Sequence, residues 1–168
     1  MNKGKIIFLD IDGVLNTCWW DRKTPADKYG YAFDPNAVAN LAKIINETGA
    51  DIVVSSTWKF MGLPQLLDMW EERGLPGKII DMTPNTVSDE VLLVVDLEQM
   101  ELTPIRGMEV QEWLNTKGKK ASHYVILDDM DNMLPEQQSH FVQTNPEVGI
   151  TEDDANKAIV ILNKPFNI

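Results

Sequence analysis

The segment Lys5-Ile6-Ile7-Phe8-Leu9-Asp10-Ile11-Asp12-Gly13-Val14 constrains the fold more than any other stretch of the chain. Its Ile, Phe and Leu residues leave no polar face, so a strand built from them is covered on both sides, as strands of parallel sheets are. Gly13 allows a sharp turn directly afterwards. Asp10 and Asp12 therefore stand at the carboxyl end of a buried strand. In open α/β sheets that end forms the ligand crevice, which makes the pair a candidate for chemistry rather than for stability. An acidic loop following a core strand is the plain alternative, and the remainder of the chain has to discriminate between them.

The remainder alternates helix and strand signals. Residues 17–33 hold Trp19, Trp20, Tyr29, Tyr31 and Phe33 without a sustained period and read as a flap over the strand ends. Asp34-Pro35 then opens a helix, with Asp34 as cap and Pro35 at the first helical position. Val38, Leu41, Ala42 and Ile45 form its apolar stripe, and Gly49 ends it. The β-branched run from Asp51 through Val54 to Ser55-Ser56-Thr57 predicts a second strand. A helix carrying Leu66, Leu67, Met69 and Trp70 follows, then a shorter strand over residues 78–82. Val91 to Val95 sits in a possible small insertion, residues 86–104, and reads equally as strand, helix turn or partner-facing patch. Val110, Trp113 and Leu114 mark another helix, and Tyr124 to Asp129 a fourth strand ending in acids. A weaker strand at Phe141-Val142-Gln143 and a helix capped by Thr151, with Asp154 three residues on, complete the pattern.

Strands alternating with amphipathic helices predict a three-layer α/β/α fold, Rossmann-like, with a mostly parallel five-stranded sheet. At 168 residues the chain suits a single domain spanning residues 1–168. The connection from Asp12 to the Asp34 helix leaves room for the flap but not for a large cap domain. The net charge of −11 is spread along the chain with no basic tail, which disfavours extended nucleic-acid or anionic-membrane binding. No segment is long and apolar enough to span a membrane, and Asp10 and Asp12 interrupt the apolar start too early for a signal peptide. A lone cysteine, Cys18, forms no internal disulfide and has no neighbouring histidine to activate it. Together these favour a cytoplasmic protein. The composition carries no signal for an oligomeric state.

The ends of the first, second and fourth strands converge on one rim, bringing Asp10 and Asp12, Ser55 and Ser56, and Asp128 and Asp129 together. Carboxylates without histidine or thiolate suit a hard cation such as Mg²⁺, which keeps waters and takes phosphate oxygens as further ligands. One carboxylate could then attack phosphorus while its neighbour moves the proton. Strand alternation points Ser55 and Ser56 in opposite directions, so one of them touches phosphate. His123 and His140 lack metal-ligand spacing. Trp58 and Lys59 could line the substrate entrance, with packing after a buried strand the preferred reading of Trp58, and the flap aromatics could stack a nucleobase, with a cover over the core preferred.

Asp10-Ile11-Asp12-Gly13-Val14-Leu15 resembles the first motif of the haloacid dehalogenase superfamily of phosphohydrolases. Ser55, after Ile52-Val53-Val54, resembles the second motif, and Asp128-Asp129, after Val125-Ile126-Leu127, the acidic fourth. The resemblance implies Asp10 as nucleophile and Asp12 as general acid/base. It also implies Mg²⁺ held by Asp10, the backbone carbonyl of Asp12 and Asp129, with Asp128 in support. Aspartate at the second acid position points to phosphatases and phosphotransferases rather than to the superfamily's ATPases. The basic third-motif residue is assigned to Arg106, with Lys117, Lys119 and Lys120 as alternatives. More narrowly, Ser55-Ser56-Thr57-Trp58-Lys59, the Glu109 to Leu114 helix and the Asn145 to Thr151 segment look like the small domains of this type in bacterial and phage RNA-repair proteins. The implied partner is a phosphorylated substrate: a nucleic-acid end, a nucleotide or a small metabolite, under an open site or a partner's lid. The alternative is a phospho-ligand binding module without turnover.

Overall fold

The computed structural model describes residues 4–85 and 105–165. Its strands are β1 (Lys5–Leu9), β2 (Asp51–Val54), β3 (Ile79–Met82), β4 (His123–Asp128) and β5 (Phe141–Gln143). Its α-helices are α1 (Cys18–Asp21), α2 (Pro35–Thr48), α3 (Leu63–Glu72), α4 (Ile105–Thr116) and α5 (Glu152–Leu162). Short 3₁₀ helices span Thr57–Met61 and Pro135–His140. The strands form one all-parallel sheet in the order β3-β2-β1-β4-β5, with the aspartate-bearing strand at its centre. The expected α/β architecture is the one observed.

Period-two alternation along the strands sorts side chains between two cores. Ile7 and Leu9 of β1, Ile52 and Val54 of β2, and Val125 and Leu127 of β4 face α2, α3 and α5. Ile6 and Phe8, Val53, and Ile126 face the opposite way, against Val110 and Trp113 of α4. Phe8 is fully buried there, with Trp113 and Tyr124 edge-on at 5.5 and 5.8 Å. The alternation has a direct consequence for the site. On the α4 face the period of two arrives at Asp10 and Ser55, one residue past β1 and β2, and at Asp128, the last residue of β4.

Helix termini follow their sequence signals. Asp34 caps α2 by accepting from Asn36 N–H, and Gly49 ends it in the left-handed conformation. Thr151 and Asp154 form a reciprocal capping box at α5. Two boundaries and one short helix differ from the sequence expectation. β2 stops at Val54, because the Ser56 hydroxyl accepts from Trp58 N–H and caps a 3₁₀ helix instead of extending the strand. α4 begins at Ile105, five residues before the first apolar marker Val110, so Arg106 lies in its first turn. Within the flap, Thr17 caps the four-residue α1 by accepting from Trp20 N–H. Residues 86–104, including Val91 to Val95, lie outside the described residues.

Candidate active site

Asp10 sits one residue past β1, and its N–H donates to the Leu127 carbonyl of β4 at 3.0 Å. Ser55 N–H donates likewise to the Leu9 carbonyl at 2.8 Å. These bonds continue the ladders past the last strand residues and hold the three strand ends side by side. Carboxylate oxygens of Asp10, Asp128 and Asp129 lie within 4.8 Å of one another. Asp10 and Asp128 are 5% and 3% exposed, so water screens their charges poorly. Burial and the Asp128 charge raise the Asp10 carboxyl to about 8. Burial likewise raises Asp128 to about 6, against the opposing pull of Arg106.

Gly13 makes room for the third acid. Its φ of +77° is a left-handed conformation, and a Cβ there would lie 2.5 Å from an Asp129 carboxylate oxygen. Thr144 Oγ1 donates to the Gly13 carbonyl at 2.8 Å, which ties the turn to the end of β5. Gln143 Nε2 donates to the Asp129 carbonyl at 3.1 Å.

Among the described residues, Arg106 is the cation brought to this cluster. Its Nη1 lies 3.4 Å from Asp10 Oδ1 and 3.7 Å from Asp128 Oδ2, and it donates to the Ser55 carbonyl. Gly107 sets this reach. A Cβ on it would stand 2.7 Å from Leu134 N and 2.9 Å from Met133 Cα, so only glycine lets the first turn of α4 press against that loop. Asn132 closes the contact from the other side, its carbonyl accepting from Gly107 N–H at 2.9 Å and its side chain from Arg106 N–H at 3.1 Å. The alternative lysines are elsewhere. Lys117 Nζ pairs with Asp81 of β3 at 2.9 Å. Lys119 is exposed, and Lys120 adjoins Gly4 at the opposite end of β1 from Asp10.

The two serines separate as alternation requires. Ser56 Oγ is used as the 3₁₀ cap, accepting from Trp58 N–H at 3.2 Å. Ser55 Oγ is buried without a hydrogen-bond partner among the described residues. A buried hydroxyl left without a partner costs free energy, and a ligand oxygen would satisfy it.

Asp12 is exposed, and its Oδ1 accepts from Asn16 Nδ2 at 2.7 Å and from Trp58 Nε1 at 2.9 Å. Trp58 is buried as expected of packing, but the packing reading missed its polar edge. Neither bond was legible from local sequence, since the Asp12–Asn16 turn has no periodic pattern and Trp58 comes from a 3₁₀ helix 46 residues away. A second missed pair flanks the site. Lys59 Nζ lies 2.8 Å from Glu109 of α4 and 3.2 Å from Thr83 Oγ1 at the end of β3. Both side chains of that ion pair are about nine-tenths buried. Burial pushes the Lys59 ammonium below the ordinary lysine range, with Glu109 pulling the other way.

The donor set at the strand ends contains only oxygens, so it fits a hard divalent cation such as Mg²⁺ rather than a thiophilic metal. The fit is electrostatic as well, because a cation would relieve the repulsion between the buried Asp10 and Asp128 carboxylates.

An all-parallel, Rossmann-like sheet with an acidic cluster at its central strand end is the architecture in hand. The model of the family described as the HAD domain in Swiss Army Knife RNA repair proteins matches residues 6–155, and the chain belongs to that family. No curated protein and no solved structure matches the chain. The family supports a phosphohydrolase-like function of the haloacid dehalogenase type. Among the described residues no helix is long and apolar enough to cross a membrane.

Proposed function

We propose that this chain is a Mg²⁺-dependent phosphomonoesterase that works through an aspartyl-phosphate on Asp10. The observation that carries the reading is one constellation: Asp10, the unpartnered Ser55 hydroxyl and Asp128 on one face of three adjacent strand ends, with Arg106 reaching among them.

A carboxylate oxygen of Asp10 attacks phosphorus, and the bond from phosphorus to the ester oxygen breaks. The leaving oxygen takes the electron pair together with a proton from Asp12. Asp12, now a carboxylate, removes a proton from water, whose oxygen attacks the phosphoryl group. The bond from phosphorus to Asp10 breaks, which restores the carboxylate and releases inorganic phosphate. The Ser55 hydroxyl and the Arg106 guanidinium hold phosphoryl oxygens, the second as a fork that matches their geometry. Asp10, Asp129 and the Asp12 backbone carbonyl would hold the cation, with Asp128 beside them. When bound, Mg²⁺ neutralises phosphoryl charge and lets two anions approach each other.

The substrate we favour is the terminal phosphate of a polynucleotide, with a nucleotide as the smaller form of the same chemistry. The family's association with RNA repair supports this choice. So does the net charge of −11, which suits contact with one phosphate rather than a long backbone. With Mg²⁺, the protein is expected to release phosphate from an aryl phosphate and from phosphorylated oligoribonucleotides. Asp10→Asn should lower turnover by on the order of a thousandfold or more while circular dichroism stays native. Wild-type inactivity across that panel would instead favour a binding module on the same fold.

A further inference from the structure

We infer that Asn16 and Trp58 are positioning residues that hold the Asp12 carboxylate by one oxygen and leave the other for proton transfer. The inference rests on the phosphomonoesterase reading and assigns the control of its proton-transfer step.

Both bonds to the Asp12 carboxylate fall on Oδ1, from Asn16 Nδ2 at 2.7 Å and Trp58 Nε1 at 2.9 Å, and none among the described residues reaches Oδ2. Trp58 Nε1–H can only donate. The Asn16 amide is oriented by a second bond, since its Oδ1 accepts from Gly13 N–H at 3.1 Å, which leaves the NH₂ group facing Asp12. Two N–H donors converge on Oδ1, and that oxygen accepts both. Oδ1 is thereby committed to holding the side chain in place, and Oδ2 is the oxygen left to exchange a proton with the substrate.

The clamp works equally in both half-reactions. In the acid form Oδ1 is a carbonyl oxygen, and in the base form it is one end of a carboxylate. It accepts the same two bonds in each. Asp12 can therefore give a proton to the leaving oxygen and take one from water without turning over. The donors are themselves fixed: Asn16 is 3% exposed, and Trp58 is 7% exposed. Phe33 packs on the indole at 5.6 Å, and the Arg73 guanidinium sits 5.8 Å from its ring centre. Arg73 also pairs with Asp27 at 2.7 Å, so the flap supports the residue that aims the acid.

The test compares an alkyl phosphate, whose leaving oxygen needs a proton, with dinitrophenyl phosphate, whose leaving group departs without one. kcat/KM is the right quantity, because it covers the steps through departure of the leaving group and excludes hydrolysis of the aspartyl-phosphate. Trp58→Phe should lower kcat/KM about tenfold more on the alkyl ester than on the dinitrophenyl ester, a fraction of what general acid catalysis contributes. Asn16→Ala should widen the gap in the same direction, and it serves independently if Trp58→Phe lowers folding stability. In an Asp12→Asn background neither substitution should widen the gap further. Equal losses on both esters would overturn the inference, as would a gap that persists without Asp12. Wild-type inactivity on both esters would remove the phosphatase reading and this inference together.

Discussion

At Asp10 the physical requirements of folding and of chemistry conflict. Burial and the Asp128 carboxylate raise its carboxyl from 3.8 to about 8, so the folded protein holds a proton that the unfolded chain releases. Where the folded state binds more protons, stability falls as pH rises, here across the window from 3.8 to about 8. Without a divalent cation the wild type should therefore lose stability between pH 5 and pH 8. Asp10→Asn removes the penalty, so in EDTA at pH 8 it should melt on the order of 5 °C higher than wild type, with the difference shrinking toward pH 4. Thermal melts across that range check it, and Mg²⁺ should raise the wild-type melting temperature at pH 8. An Asp10→Asn protein less stable than wild type at pH 8 in EDTA would mean that the carboxylates do not strain the fold.

The elements deliver these residues by geometry that was partly legible in advance. Unbroken apolar runs identified β1, β2 and β4 as buried strands, and the period of two along them puts Asp10, Ser55 and Asp128 on one face. That rule separated Ser55 from Ser56 in direction, but only the capping bond to Trp58 N–H shows that Ser56 is committed elsewhere. The sequence favoured Arg106 but left Lys117 as an alternative, because this helix carries cations near both ends. The structure separates them through Gly107, whose lack of a Cβ lets α4 press its first turn against residues 132–134. Gly107→Ala should push that turn outward, lower kcat/KM tenfold or more, and cost about 1–3 kcal/mol from overpacking. Lys117→Ala, on the Asp81 side of α4, should stay within about twofold of wild type, since exposed ion pairs contribute little. Steady-state kinetics and thermal melts on the two variants check this. Asn16 and Trp58 were illegible for a different reason: Asn16 meets Asp12 within one irregular turn and Trp58 meets it across the fold from a 3₁₀ helix, and no periodic signal marks either contact.

Across the whole molecule, 26 acidic residues outnumber 15 basic ones, yet the proposed substrate is an anion. The two facts are compatible if the protein grips one phosphate and repels the rest of a polynucleotide. For phosphorylated oligoribonucleotides, kcat/KM should then change little with added length. Its logarithm should fall against the logarithm of salt concentration with a slope of about −1 to −2, that of one or two released counterions. Steady-state rates on an oligonucleotide ladder at several salt concentrations check it. A slope that steepens with length would reveal a backbone-tracking surface that the net charge gives no reason to expect. The central claim, however, concerns one covalent bond. Turnover of a substrate with a radiolabelled phosphate, quenched in acid and mapped by mass spectrometry, should place the phosphoryl group on the peptide bearing Asp10, with no label on Asp10→Asn. Turnover without a labelled peptide, or with the label on Asp12 or Asp128, would contradict the mechanism.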